Sequence, residues 1–246
     1  MLTMKNLCLI LITLVYFSSV SCTNGQILKK LKLPKTTTTS STSSALTSDE
    51  VAKGLKEALT SGVSKGADIA SALDGFYKNS FIKIPFPPEV REVETKLRQI
   101  GLGSEVDKFV LSLNRAAEDA AKQSKPIFVS AITSLTIQDV WGILKGENNA
   151  ATEYLKRSTS TQLTSTFQPV IRESLNKVNA TKYYSDLVNT YNRLPMVKKV
   201  NPNLDQYATQ KAIDGLFYLV AQEEINIREN PVARTTDILK KVFGAK

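Results

Sequence analysis

The side chains that could carry chemistry fall into three polar clusters set among apolar residues. Asn114, Arg115, Glu118 and Asp119 form the first, inside the stretch Ser104–Pro126. There Val106, Val110, Leu113, Ala117 and Ala120 recur at helical spacing and make a small, apolar face. Such a face lets a neighbour approach closely, and polar groups beside the contact then need partners. Arg115 and Asp119 are one helical turn apart. Glu223, Glu224 and Arg228 form the second cluster, with Glu224 and Arg228 again four residues apart, and Arg234 with Asp237 forms the third. Two kinds of chemistry suit these residue types. Arginine–carboxylate pairs and caps can simply orient helices, each exposed pair contributing roughly a few tenths of a kcal/mol. Alternatively, the clusters can converge on one polar pocket that holds an anionic or amphipathic ligand through the arginines. That reading requires Arg115, Arg228 and Arg234 to approach a single cavity. Carboxylates such as Glu118 and Glu223 could also support hydrolysis without histidine, so a carboxylate-dependent hydrolase is the alternative to a binding protein.

Composition removes most other chemistry. The chain has no histidine, and its two cysteines, Cys8 and Cys22, both lie near the start. Ser-His-Asp and Cys-His catalysis, zinc sites of the usual kinds and internal disulfides are therefore excluded from the rest of the chain. Phosphate loops, dinucleotide glycine fingerprints and calcium loops are absent. The expectation is a protein with no cofactor and no metal that is not an enzyme. Net charge is +9, but Lys5, Lys29, Lys30, Lys32 and Lys35 all precede the first acidic residue, Asp49, which leaves +4 on the remainder. That is a mixed surface, and no nucleic-acid partner is expected.

The first 21 residues read as a signal peptide, with Lys5 ahead of a mostly apolar run from Leu7 to Val20. Ser19-Val20-Ser21-Cys22 resembles the lipobox of bacterial lipoproteins, although Ser19 stands where a leucine is usual. Lipidation at Cys22, simple secretion and a retained anchor are the three outcomes this pattern allows, with the first preferred. Residues 22–46 then form a linker. Its Ile27–Lys35 portion is basic and amphipathic, suited either to anionic lipid headgroups or to plain solvation. Thr36–Ser44 is nearly all Ser and Thr, with nothing to bury. The expected location is the cell envelope, on a membrane through Cys22 or free in the periplasm, with a lipid, an amphipathic molecule or an envelope protein as partner.

Residues 47–246 must position the clusters, and their periodicity predicts an all-α bundle of about ten helices. Thr47-Ser-Asp-Glu50 and Thr136-Ile-Gln-Asp139 are capping-box patterns that start two of them. Gly62 and Gly66 in the first helix suggest close packing. Phe76 to Pro88 is proline-punctuated and reads as an extended segment, with Phe76, Phe81, Ile84 and Phe86 plugging the core. The central helix follows from Ser104 to Pro126, and a short one covers Ile127–Leu135. Separate helices are predicted over Asn148–Thr159 and from Leu163 to Val178, and a long one from about Leu204 to Asn230. Tyr183, Tyr184, Tyr191 and Phe167 could line a hydrophobic groove or belong to the core. No stretch shows sustained strand alternation.

Taken together, Asp74-Gly-Phe76, Ile84-Pro-Phe-Pro87, Asn114-Arg-Ala-Ala-Glu118, Thr136-Ile-Gln-Asp139, Ala150-Ala-Thr152 with Tyr154, Asp214-Gly-Leu-Phe217, Ile227-Arg228 and Ala233-Arg-Thr-Thr-Asp237 resemble a bacterial family, domain of unknown function 4197. The resemblance spans about Val51 to Gly244. It implies an exported, helical envelope protein, often a lipoprotein, and carries no activity with it. Trp141 stands where this family more often has a small residue.

Overall fold

Thr47 begins the folded part in a computed structural model that describes residues 46–193, 195–196, 198–234 and 236–244. The stretch read as a signal peptide, Cys22 and Thr36–Ser44 all lie outside the described residues. The Thr47 side chain accepts a hydrogen bond from the Glu50 backbone, and Glu50 accepts one from the Thr47 backbone, closing the predicted capping box. Helix α1 then runs over Ser48–Ser71, followed by α2 (Arg91–Gln99), α3 (Gly103–Ala121), α4 (Ser124–Thr133) and α5 (Ile137–Lys145). Next come α6 (Ala150–Lys177), α7 (Ala180–Tyr191), α8 (Leu204–Glu229) and α9 (Asp237–Gly244). Two short 3-10 turns, Pro88–Val90 and Pro231–Ala233, complete an all-α architecture without strands among the described residues. No single helix among them is long and apolar enough to cross a membrane.

Four long helices carry the core. The α8 helix packs against α1 and α6, and α6 packs against α3. The α1–α8 approach is close at two glycines: a Cβ at Gly66 would make ordinary van der Waals contact with the backbone of Leu219 and Val220, and one at Gly62 with Ile227 and Glu223. Larger side chains at both sites would hold the helices apart. Leu55, Leu113, Leu155, Phe167, Ile171 and Leu204 are fully buried between these helices.

One helix differs from expectation. Residues 150–177 form a single helix, not two, which is why the described residues contain nine α-helices. Leu155, Thr159, Leu163, Phe167, Ile171 and Leu175 make one buried stripe at four-residue steps. Thr159 interrupts that stripe only by residue type, because its hydroxyl donates to the Leu155 carbonyl and so needs no other partner. Ser160 and Thr164 bond back in the same way. Pro169 sits within this helix, on its exposed side.

The segment after α1 also differs. Residues 72–81 are a succession of tight turns rather than extended chain. Turning shifts the inward register, so Ile82 is buried with Phe76, Ile84 and Phe86, while Phe81 is 76% exposed and stacks on Tyr218 at 5.5 Å. Gly75 is required by this turn, since a Cβ there would meet the Ile69 carbonyl oxygen at 2.1 Å. Helix α4 begins at Ser124, ahead of Pro126, which occupies its first turn, where a missing N–H costs nothing.

Candidate functional site

The α3 cluster is built around the turn segment. Glu118 is buried, and its Oε1 accepts hydrogen bonds from the backbone N–H of Phe76 (3.1 Å) and Tyr77 (3.3 Å). Its Oε2 accepts one from Arg115 at 2.6 Å, and the same guanidinium reaches Asp74 at 2.6 Å. One turn earlier, the buried Asn114 side chain brackets Ile84, accepting from its N–H and donating to its carbonyl, both at 2.8 Å. Asn114 thus pairs like a short strand with a segment that has no other backbone partner at that residue. Asp74 has a left-handed φ of 67°, a conformation that aspartate tolerates better than most residues. Lys78 and then Arg115 hold its carboxyl below the usual range, while Glu118 and Asp74 raise the Arg115 guanidinium. Asp119 stands apart from this network. It is exposed and pairs with Lys122, so the anticipated Arg115–Asp119 pair does not form.

The second network gathers at the C-terminal end of α8. Glu224 is buried and accepts from the backbone N–H of Ala151 (3.0 Å) and Thr152 (2.8 Å) and from the Thr152 hydroxyl (2.8 Å). It thereby caps α6 in place of Asn149, whose side chain makes no cap bond. Arg228 pairs with Glu224 at 2.8 Å and donates to the Ile143 carbonyl near the end of α5. Arg234 donates to the carbonyls of Ile227 and Arg228, finishing the last turn of α8. Asp237 pairs with Lys240 rather than Arg234, and Glu223 pairs with Lys65 on α1. The three arginines therefore divide between two hydrogen-bonded networks, and the single shared polar pocket is not what they form.

The sequence profile of the family described as "Protein of unknown function (DUF4197)" matches residues 45–244. The chain belongs to that family. No curated protein and no solved structure matches it. The structure brings four of the DUF4197 motifs of this chain together in two pairs and ties a fifth to Glu224. Phe76 of Asp74-Gly-Phe76 lies over Gly215 of Asp214-Gly-Leu-Phe217, where a Cβ would come within 2.7 Å of its ring. Ile84 of Ile84-Pro-Phe-Pro87 is held by Asn114, and Ala150-Ala-Thr152 is held by Glu224. These contacts account for the motifs as helix-locking devices. Among the described residues, no group of three or more acidic side chains could hold a metal ion.

A third network has no counterpart in the sequence reading. Asp205, buried in the first turn of α8, accepts from Arg172 at 2.7 Å and from Gln168 at 3.1 Å on α6. Burial pushes its carboxyl up, but these bonds outweigh burial and leave it below the usual range. The capping-box carboxyls Glu50 and Asp139 are lowered by their Thr47 and Thr136 bonds. With Asp74, that makes four carboxyls whose folded pKa lies below the unfolded value. Their stabilisation is complete above the unfolded carboxylate range of about pH 4 and is lost as pH falls through the folded values. No histidine titrates nearer neutrality. Unfolding free energy should therefore be flat from about pH 8 to 5.5 and drop below about pH 4. A step near pH 6.5 in denaturant titrations would contradict this.

A larger apolar space lies apart from the buried carboxylates, beside α2, α3 and α7. An apolar groove of about 550 Å³ lies between them, lined by Phe86, Leu97, Phe109, Val178, Tyr184 and Leu187, with Leu102 and Tyr183 at its exposed margin. Of the four aromatics considered for a groove, Tyr183 and Tyr184 line it, Phe167 is core and Tyr191 is half-buried. Burial and the neighbouring Glu89 push the Tyr184 hydroxyl up to about 12, so it stays a neutral phenol at physiological pH.

Proposed function

We propose that this protein is an exported, membrane-tethered binding protein that takes an amphipathic ligand into the groove between α2, α3 and α7. The observation that carries the reading is the groove itself. Its volume of about 550 Å³ falls within the roughly 300–1,000 Å³ of small-molecule sites, which are mostly apolar. The leader ending at Cys22 supports export and anchoring. A non-enzymatic role is supported by the state of the carboxylates. Both oxygens of Glu118 are occupied by backbone N–H groups and Arg115, and Glu223 is paired with Lys65. Neither is free to act as a general acid or base, which disfavours the hydrolase alternative.

Native mass spectrometry of protein purified from its own envelope tests the reading. The wild type should carry amphiphile adducts. Leu102→Glu and Val178→Glu place charges on groove residues that are already 43% and 54% exposed, so these variants should lose the adducts with unchanged circular dichroism and melting. Adducts retained in both variants, or none in the wild type, would overturn it.

A further inference from the structure

The groove does not end at α7. A second cleft of about 370 Å³ lies between α3 and the end of α6 and shares Lys108, Ser112 and Val178 with the first as a common wall. The two differ in chemistry. Beyond the common wall the lining is mixed: Leu111 and Ala116 continue it, joined by Arg115, Asp119, Ser174 and Lys177. Lys108, Arg115 and Lys177 line the second cleft with one carboxylate, Asp119, which is paired with Lys122, while Glu105, the partner of Lys108, lines the groove. Arg115 is committed to Glu118 and Asp74. Lys108 and Lys177 are not committed in that sense. Their partners Glu105 and Glu173 lie on their own helices, and all four side chains are more than half exposed. Ion pairs so exposed are weak and exchange readily. An apolar chamber opening onto mobile cations is the arrangement that an amphiphile with a negative head would match.

Resting on the groove reading above, we propose that the ligand is a single-chain anionic amphiphile. Its chain occupies the space between α2, α3 and α7, and its carboxylate or phosphate monoester head lies in the α3–α6 cleft against Lys108 and Lys177. A cationic head would face those two lysines, and a neutral head would gain no ion pair. Arg115 stays with Glu118 and Asp74, whose two carboxylates offset its charge, so the head is held by Lys108 and Lys177 alone.

The test uses the full chain in calorimetric titrations with decanoate, decyl phosphate, 1-decanol and decyltrimethylammonium, each below its micellar threshold. Inorganic phosphate serves as a chainless competitor. Decanoate and decyl phosphate should bind at least tenfold more tightly than the other two, with an affinity that falls as salt is raised. Inorganic phosphate should not displace them. In the Lys108→Glu/Lys177→Glu double variant the anionic preference should vanish while decanol still binds. Equal affinity for all four probes, or a preference that survives the double variant, overturns the headgroup assignment and leaves the groove standing. Displacement by inorganic phosphate alone would also overturn it, since the cleft would then be a free anion site. Absence of binding by every probe overturns both readings.

Discussion

Glu224→Ala is expected to destabilise the protein by about 3–5 kcal/mol, the loss typical of a buried ion pair stripped of one partner. Glu224 accepts five hydrogen bonds, three from the start of α6 and two from Arg228. Removing it strands a guanidinium whose side chain is 5% exposed, with the Ile143 carbonyl as its remaining acceptor. It also uncaps α6, the longest helix among the described residues, because Asn149 offers no side-chain substitute. Arg228 Nη1 already lacks a hydrogen-bond partner, so the guanidinium has no reserve contact to fall back on. Urea unfolding followed by circular dichroism measures the loss. Glu224→Gln should lose less, since its amide oxygen can still accept from the Thr152 N–H and hydroxyl, although its NH2 group then faces the Ala151 N–H and Arg228. Replacing Glu224 by Leu and Arg228 by Met together should cost less than Glu224→Ala, because no buried charge is left behind. If Glu224→Ala loses under about 1 kcal/mol, the network does not hold these helices.

Capping boxes were legible at Thr47 and Thr136 because both partners lie within one turn. The run 150–177 was misread because Thr159 looks polar, whereas in a helix its hydroxyl is satisfied by its own backbone and can be buried. Phe81 and Ile82 exchanged roles because turn geometry, not alternation, sets their direction. At the networks, Asn114, Glu118, Glu224 and Arg228 were conspicuous as polar residues in apolar surroundings. Their partners were not. Asn114 and Glu118 bind backbone groups 30 to 42 residues away, and Glu224 binds ones more than 70 away. Backbone partners leave no mark in a side-chain pattern. Asp205 was passed over because an acidic residue in a helix's first turn is ordinary there, and its partner Arg172 lies 33 residues earlier. The groove is legible only in part, at Tyr183 and Tyr184: Leu102 and Val178 stand at helix ends, where an exposed apolar residue is unremarkable until the neighbouring helix is in place.

The same reasoning makes Glu118→Ala the second large effect, about 2–4 kcal/mol, built from buried donors that lose their acceptor at roughly 1–3 kcal/mol each. It differs from Glu224→Ala in what becomes of the arginine. Arg115 is 34% exposed by its side chain and keeps Asp74, so it can recruit water rather than stay stranded. The loss falls instead on the N–H groups of Phe76 and Tyr77, which hold the turn segment against α3. Hydrogen exchange should therefore speed up first at those two amides, ahead of global unfolding. Phe76 is fully buried and lies over Gly215 of α8, so loosening the turn also opens its contact with α8, and the melting temperature should fall with it. The groove should be spared, because Asn114 still brackets Ile84 two residues before Phe86, the groove-lining residue of this segment. Probe binding measured well below the melting point separates the two roles. Unchanged affinity in Glu118→Ala marks the α3 cluster as a clasp for the fold, while a loss of affinity matching that of Val178→Glu would place Glu118 in the binding site itself.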